Sequence, residues 1–282
     1  MTALTAAPFL ADESRARFRD LLLGEWCKLL SLRSIRWGLL LGLLGLVFLN
    51  ANAAIADVND WDHFAPAQRE FFVPDGALAA SFTNNACIAT LLITGSLGAV
   101  SLVSEYATGQ IRTTFAAVPA RRALLSAKIL VLTAVMTAFG VLATGVSFFL
   151  TQAVLSGKHA GISLAEPGIW RALLASALLP PVCALTGLGL AALVRHSAAT
   201  IVTTTTVLLL IPNFLSRNHH WSACLYHATP FRAWQTLHDL VGTPPNPHIP
   251  FAADPAGEWF VYLAWAVGGV LATLVLGSRR DV

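Results

Sequence analysis

The 282-residue chain is 56% hydrophobic and only 12% charged, with a mean hydropathy of +0.66. Soluble domains carry about 25% charged residues, so the composition excludes an ordinary soluble domain and indicates an integral, all-α membrane protein. The net charge of +3 means little as a total and brings no nucleic-acid partner into view; its distribution along the chain is informative.

Helices are the expected spanning elements, because a helix satisfies its own backbone polar groups in lipid. Barrel strands would read as alternating segments of roughly 10 residues, whereas the apolar runs here are longer and uniform. Residues 1–14 read as a loose tail ahead of one transmembrane domain over 15–282. From Arg15 onward Phe18, Leu21, Leu22, Trp26, Leu29 and Leu30 recur at three- and four-residue spacing, with Arg19 and Lys28 largely opposite. That pattern predicts an amphipathic helix in the membrane interface, in contact with lipid through Phe18, Leu22, Trp26 and Leu29.

The first span is expected over 37–56, behind Arg33 and Arg36. It carries Gly38 and Gly42 at the spacing that permits close helix contact. Residues 57–75 hold Asp57, Asp60, Asp62, Glu70 and Asp75 against Arg69. They fit no EF-hand and read as a solvated acidic loop. The second and third spans, over 79–103 and 129–155, lie in two uncharged stretches of 29 residues each, 76–104 and 129–157. A crossing needs about 20 apolar residues.

Between these spans Glu105, Arg112, Arg121, Arg122 and Lys128 crowd into one short segment. Each would cost about 2.5–3.5 kcal/mol at mid-bilayer, so the segment belongs at a membrane face. It is either a plain hydrated loop or a docking surface for something soluble.

The fourth span, 172–194, contains Pro180 and Pro181, which should kink or divide it. The fifth, 197–216, holds Thr203, Thr204, Thr205 and Thr206, whose hydroxyls are able to bond back to the preceding turn or to line a polar path. Residues 217–258 carry Trp221, Tyr226, Phe231 and Trp234 with five histidines. Aromatic residues at this density favour the headgroup region, so short interfacial or re-entrant helices are expected, without a metal-binding spacing. The sixth span is expected over 259–278. Cys27, Cys87, Cys183 and Cys224 lie far apart and read as isolated thiols.

Lys and Arg divide 13 to 5 between alternate sides of six spans, which puts both termini and the charged segment in the cytoplasm. No phosphate-cradling loop, nucleophile elbow or zinc-protease helix occurs. The predicted spans hold no Asp, Glu, Lys or Arg between their ends, against the habit of ion-coupled transporters. No catalytic residue, metal ligand or resident cofactor is expected.

This order of parts resembles the permease of a bacterial type-2 ATP-binding-cassette (ABC) transporter, over about 18–280. The amphipathic leading helix ends in GEWCKLLSLRSIRW, and Glu105, Gly109, Pro119, Arg121, Arg122 and Lys128 match the E-x-x-x-G, proline and basic pattern between spans two and three. Tyr106, Ala107 and Thr108 depart from the more acidic residues common there. The resemblance implies a multi-pass cytoplasmic-membrane subunit, in an exporter, that pairs with a second permease copy. A separate ABC ATP-binding subunit would bind the ATP and meet Glu105, Gly109, Gln110 and Arg112 beside the leading helix. The competing readings are a membrane anchor or sensor that binds a partner without transport, and an integral membrane enzyme using the histidines.

Overall fold

In the computed structural model, residues 17–110, 113–114, 120–215, 220–240 and 255–279 are described. They form helices and no strand. In chain order these are α1 (Phe18–Ser31), α2 (Arg33–Asp60), α3 (Pro66–Phe71), α4 (Ala77–Ser81), α5 (Asn84–Ala107), α6 (Arg121–Ser156), α7 (Ile169–Val194), α8 (Ser197–Thr205), α9 (His220–His227), α10 (Pro230–His238) and α11 (Pro255–Arg279). Five segments are long and apolar enough to cross a membrane: Arg33–His63, Phe72–Ala107, Arg121–Ser156, Ile169–Val194 and Pro255–Gly277. Residues expected as the fifth span form a shorter apolar helix, Ser197–Leu210, that widens to a π-helix from Thr206 and is followed directly by one more helical turn, Ile211–Phe214. The expected tail over 1–14 and the proline-rich turn near 243–250 lie outside the described residues.

The bundle is built around α7, which packs against α5, α6, α10 and α11. Lipid supplies no hydrophobic drive between helices, so close backbone approach has to hold them. Glycine provides it. A Cβ on Gly98 of α5 would run into the Ala184 carbonyl of α7, and one on Gly269 of α11 into the Leu185 carbonyl.

The proline pair does not divide α7, contrary to one of the two expected outcomes. Pro180 and Pro181 lie inside a continuous helix. Lacking an N–H, Pro181 leaves the Ala177 carbonyl without its usual i+4 donor. Gly140 of α6 lies against that carbonyl, where a Cβ would clash, so a neighbouring backbone covers what the proline frees.

Faces turned away from α7 are apolar. Trp37, Leu41, Leu44 and Phe48 on α2, and Phe260, Leu263, Val267 and Leu271 on α11, are exposed at three- and four-residue spacing. Soluble proteins rarely expose contiguous patches of this kind; lipid is the solvent that suits them. Gly38 and Gly42 instead meet the side chains of Leu97 and Ile93 on α5, within the same chain.

Two expectations change at the end of the bundle away from α1. The acidic segment is mostly helical, not a loop. α2 runs on to Asp60, a 3-10 turn covers Trp61–His63, and Trp61, Phe64 and Phe72 form an aromatic cluster with Arg69 over Trp61. The second span is broken at Phe82 and Thr83, between α4 and α5. There Asn50 of α2 accepts hydrogen bonds from both the backbone N–H and the hydroxyl of Thr83, each at 3.0 Å. The Thr83 hydroxyl in turn caps α5 by accepting from the N–H of Ala86.

Within the described part of the aromatic segment the chain forms the two short helices α9 and α10. α10 docks by burying Phe231, Trp234 and Leu237, and the Trp234 indole N–H donates to Ser176 Oγ of α7 at 3.0 Å. Among the described residues no cluster of His, Cys, Asp or Glu is arranged to hold a metal ion, and no disulfide joins the four cysteines.

The glycine contacts give a graded expectation. Gly98→Val forces α5 off α7 and should destabilise the protein by about 1–3 kcal/mol or more. Gly45→Val, with no atom within 4 Å of its Cβ position, should change little. Thermal unfolding of both variants in one detergent checks this; equal midpoints would refute the packing argument.

Candidate functional site

The charged end of the bundle is organised by Lys128, the eighth residue of α6. Its Nζ lies 2.6 Å from Glu25 Oε2 of α1 and 2.9 Å from Glu105 Oε1 of α5. Lys28, one turn after Glu25, adds a contact of 2.8 Å to Glu25 and a looser one of 3.7 Å to Glu105. Glu25, Glu105 and Lys128 are 3%, 6% and 4% exposed. Three elements far apart in sequence therefore share one buried cation.

Local sequence explains how each group arrives there. On α1, Leu21, Glu25 and Leu29 recur every four residues and form the buried face. A single carboxylate thus sits inside an apolar stripe aimed at the bundle. Glu105 lies in the last turn of α5, and Thr108 and Gly109 follow; Gly109 turns the chain at φ +69°, a conformation that favours glycine.

Burial alone would push the Glu25 carboxyl up. Lys128, helped by Lys28, more than offsets it and holds the group below its ordinary 4.5. Glu25 therefore faces Lys128 and Lys28 as a carboxylate. A cavity of about 140 Å³ opens beside it, lined by these four side chains and by Ser31, Ser104, Thr108 and Gln110, among others.

A second cation closes the same end. Arg195 follows α7 in the left-handed region and donates to the Ala192 carbonyl of α7 and, at 3.1 Å, to the Leu276 carbonyl of α11. It also lies over the Tyr106 ring at 5.2 Å. A cation at two helix C-termini satisfies both orphan carbonyls and both dipoles.

The residues expected to meet a soluble partner separate in space. Gln110 is exposed and Gly109 half-buried on the turn, whereas Glu105 points inward and is engaged by Lys128; Arg112 and Pro119 lie outside the described residues. The expected lipid face of α1 also separates. Phe18 and Trp26 are exposed, Leu22 is partly buried against the core, and Leu29 is buried in it. Of the four threonines, Thr204 is buried where α8 meets Gly95 of α5, and its hydroxyl has no hydrogen-bond partner among the described residues. Thr203, Thr205 and Thr206 are half-buried.

Sequence reasoning missed Glu25 and Lys128 as a pair. The signals were Glu25 interrupting the Leu21–Leu29 stripe and Lys128 lying inside a helix rather than before it. A further buried carboxylate, Glu258, stands just ahead of the expected sixth span. That residue lies in the first turn of α11, is 2% exposed, and has Oε1 3.5 Å from His227 Nδ1.

No protein-family model matches this chain, and no curated protein is significantly similar to it.

Breaking the cluster by one partner is expected to cost far more than removing it whole. Lys128→Met strands two buried carboxylates and should destabilise by about 3–5 kcal/mol. The triple variant Glu25→Gln, Lys128→Met, Glu105→Gln should recover most of that loss. Since the folded Glu25 carboxyl lies below 4.5, its contribution is complete above pH 4.5 and is lost as acid carries the pH through the lower folded value. Thermal midpoints against pH, for the parent and the triple variant, test both statements; an additive triple variant would refute the cluster as a unit.

Proposed function

We propose that this chain is the transmembrane subunit of an ATP-driven ABC transporter, an exporter by direction. It works as a pair of copies and is powered by a separate ATP-binding subunit. In this reading it lies in a bacterial cytoplasmic membrane with six spans, the apolar helix beginning at Ser197 being the fifth. Both termini and the Lys128 cluster face the cytoplasm, and α1 rests in the interface through Phe18 and Trp26.

The observation that carries the reading is the way the exposed turn is mounted. Thr108, Gly109 and Gln110 follow directly on Glu105, and Glu105 is joined through Lys128 to α6 and through Glu25 to α1. A push on that turn by a soluble partner reaches two spanning helices and the leading helix together. A loop serving only to set topology needs no such mounting. Gln110 is then a contact residue, and Glu105 is a positioning residue beneath it. The basic count of 13 to 5 and the resemblance of 104–128 to the family's ATPase-facing segment support the same orientation.

Two experiments test this. Single cysteines at Asp62 and Gln110, in a cysteine-free background, should label from opposite sides of the membrane; labelling of both from outside would overturn the topology. The tagged chain, purified in mild detergent from its own cells, should bring down an ATPase, while the chain alone neither binds nor hydrolyses ATP. Gln110→Arg with Thr113→Arg should lower the co-purified ATPase by about tenfold, a loss of about 1.4 kcal/mol, at unchanged thermal midpoint. Undiminished ATPase would place the docking surface elsewhere, and its absence from the parent would favour an anchor without transport.

A further inference from the structure

At the other end of the bundle, between α2, α5, α6 and α7, lies a small, partly open pocket with about 40 Å³ of room. Its walls carry Asn50, Thr83, Thr90, Thr144, Ser147 and Ser176, six uncharged polar side chains among apolar ones. A water needs about 10–15 Å³ of such volume and two to four polar partners, so the pocket has room for about three waters. Donors are in surplus. Asn50 Nδ2 gives one hydrogen to Ser147 Oγ at 3.1 Å and retains another; the hydroxyls of Ser147 and Ser176 accept, from Asn50 and Trp234, and keep their own hydrogens.

Phe82, Thr83 and Trp234 line both this pocket and a cleft of about 490 Å³. That cleft also carries Asp75, Asn84, Gln235, His238 and Asp239. Phe82 and Trp234 are 6% and 3% exposed, and both pack on the His238 ring, Phe82 edge-on at 5.7 Å and Trp234 stacked at 4.9 Å. Burial pushes that imidazole down to about 4, so at neutral pH the three rings form an uncharged plug. Phe82 is also the residue at which the second span breaks, with φ −142° and ψ 75° between two helices. Its side chain is therefore mounted on a non-helical step between α4 and α5.

We propose that the pocket is a solvated chamber within a single copy of the chain. It takes water and small uncharged hydrogen-bonding solutes from the cleft, with Phe82 and Trp234 as the plug between them. The lining selects against charge. It offers hydroxyl and amide groups but no ionised partner, and burying an unpaired charge there is far more costly than burying a hydroxyl. The proposal is independent of any ATP-binding partner.

Cys87 lines the chamber and is a native reporter. The full chain with Cys27, Cys183 and Cys224 replaced by Ser, purified into lipid nanodiscs, is treated with hydroxyethyl methanethiosulfonate and with its charged sulfonatoethyl analogue. The uncharged reagent should modify Cys87 and the charged one should not. Phe82→Ala should raise the uncharged rate by about tenfold, a barrier lowered by about 1.4 kcal/mol. Trp234→Phe, which keeps the ring and drops the bond to Ser176, should raise it less. Thr144→Leu, which fills the chamber without touching the plug, should lower it. Thermal midpoints identify any variant that reacts because it is unfolded, and the Thr144→Leu comparison decides the matter if Phe82→Ala does not fold. A rate indifferent to the plug variants, or unchanged by Thr144→Leu, overturns the proposal.

Discussion

One buried ammonium group holds the charged end of this protein together. Lys128 lies between Glu25 and Glu105, each from a different element, and none of the three reaches bulk water to any extent. Charges so placed lose several kcal/mol of hydration apiece, which only close mutual contact and hydrogen bonding offset. The cluster is thus poorly suited as a source of stability in its own right. Its value is geometric: α1 cannot slide along α6 without separating Glu25 from Lys128, and the end of α5 cannot rotate without withdrawing Glu105. A layer of leucines would hold the same elements with less directional constraint.

That constraint matters because of what surrounds α7. The contacts of α5 and α11 with α7 run through glycine against carbonyl, where a backbone shift meets repulsion almost at once. Such surfaces behave as rigid joints and not as lubricated ones. Anything fixed to the end of α5 by the Lys128 cluster is therefore fixed to the central helix as well. Arg195, bonded to the carbonyl ends of both α7 and α11, brings the last spanning helix into the same unit.

The long apolar helices were legible in the sequence because each depends on itself alone: charge-free length and backbone self-satisfaction suffice. The leading helix was legible from its spacing. Contacts between distant residues were not. Lys128 read as one charge of the segment between spans two and three, Glu25 carried no reading of its own, and only the fold shows that they meet. Local rules also misled where a neighbour packs closely over what the rule leaves exposed. Pro180 and Pro181 should weaken a helix, yet Gly140 covers the carbonyl that Pro181 frees. The break in the second span had a signal that went unread. Thr83, Asn84 and Asn85 are three consecutive polar residues inside an apolar run, and the first is a strong helix cap.

The two polar regions of the molecule are joined by one element. α5 begins at the Thr83 cap beside Asn50 and ends at Glu105 on Lys128. Its 24 residues span about 36 Å, and it touches α7 through Gly95 and Gly98, near mid-length. A helix pinned at its middle and held by charge at one end transmits a tilt to its other end. The other end is where the chain leaves helical geometry, at Phe82, and where the polar side chains are uncharged. The charged end is thus held by ion pairs, while the Phe82 end combines irregular backbone with uncharged polar neighbours. In a membrane, irregular backbone is tolerated only where protein or water satisfies it. Asn50 does so here with a side-chain amide that has hydrogen-bonding capacity left over, so the break at Phe82 is a place where the bundle gives rather than a defect in its packing.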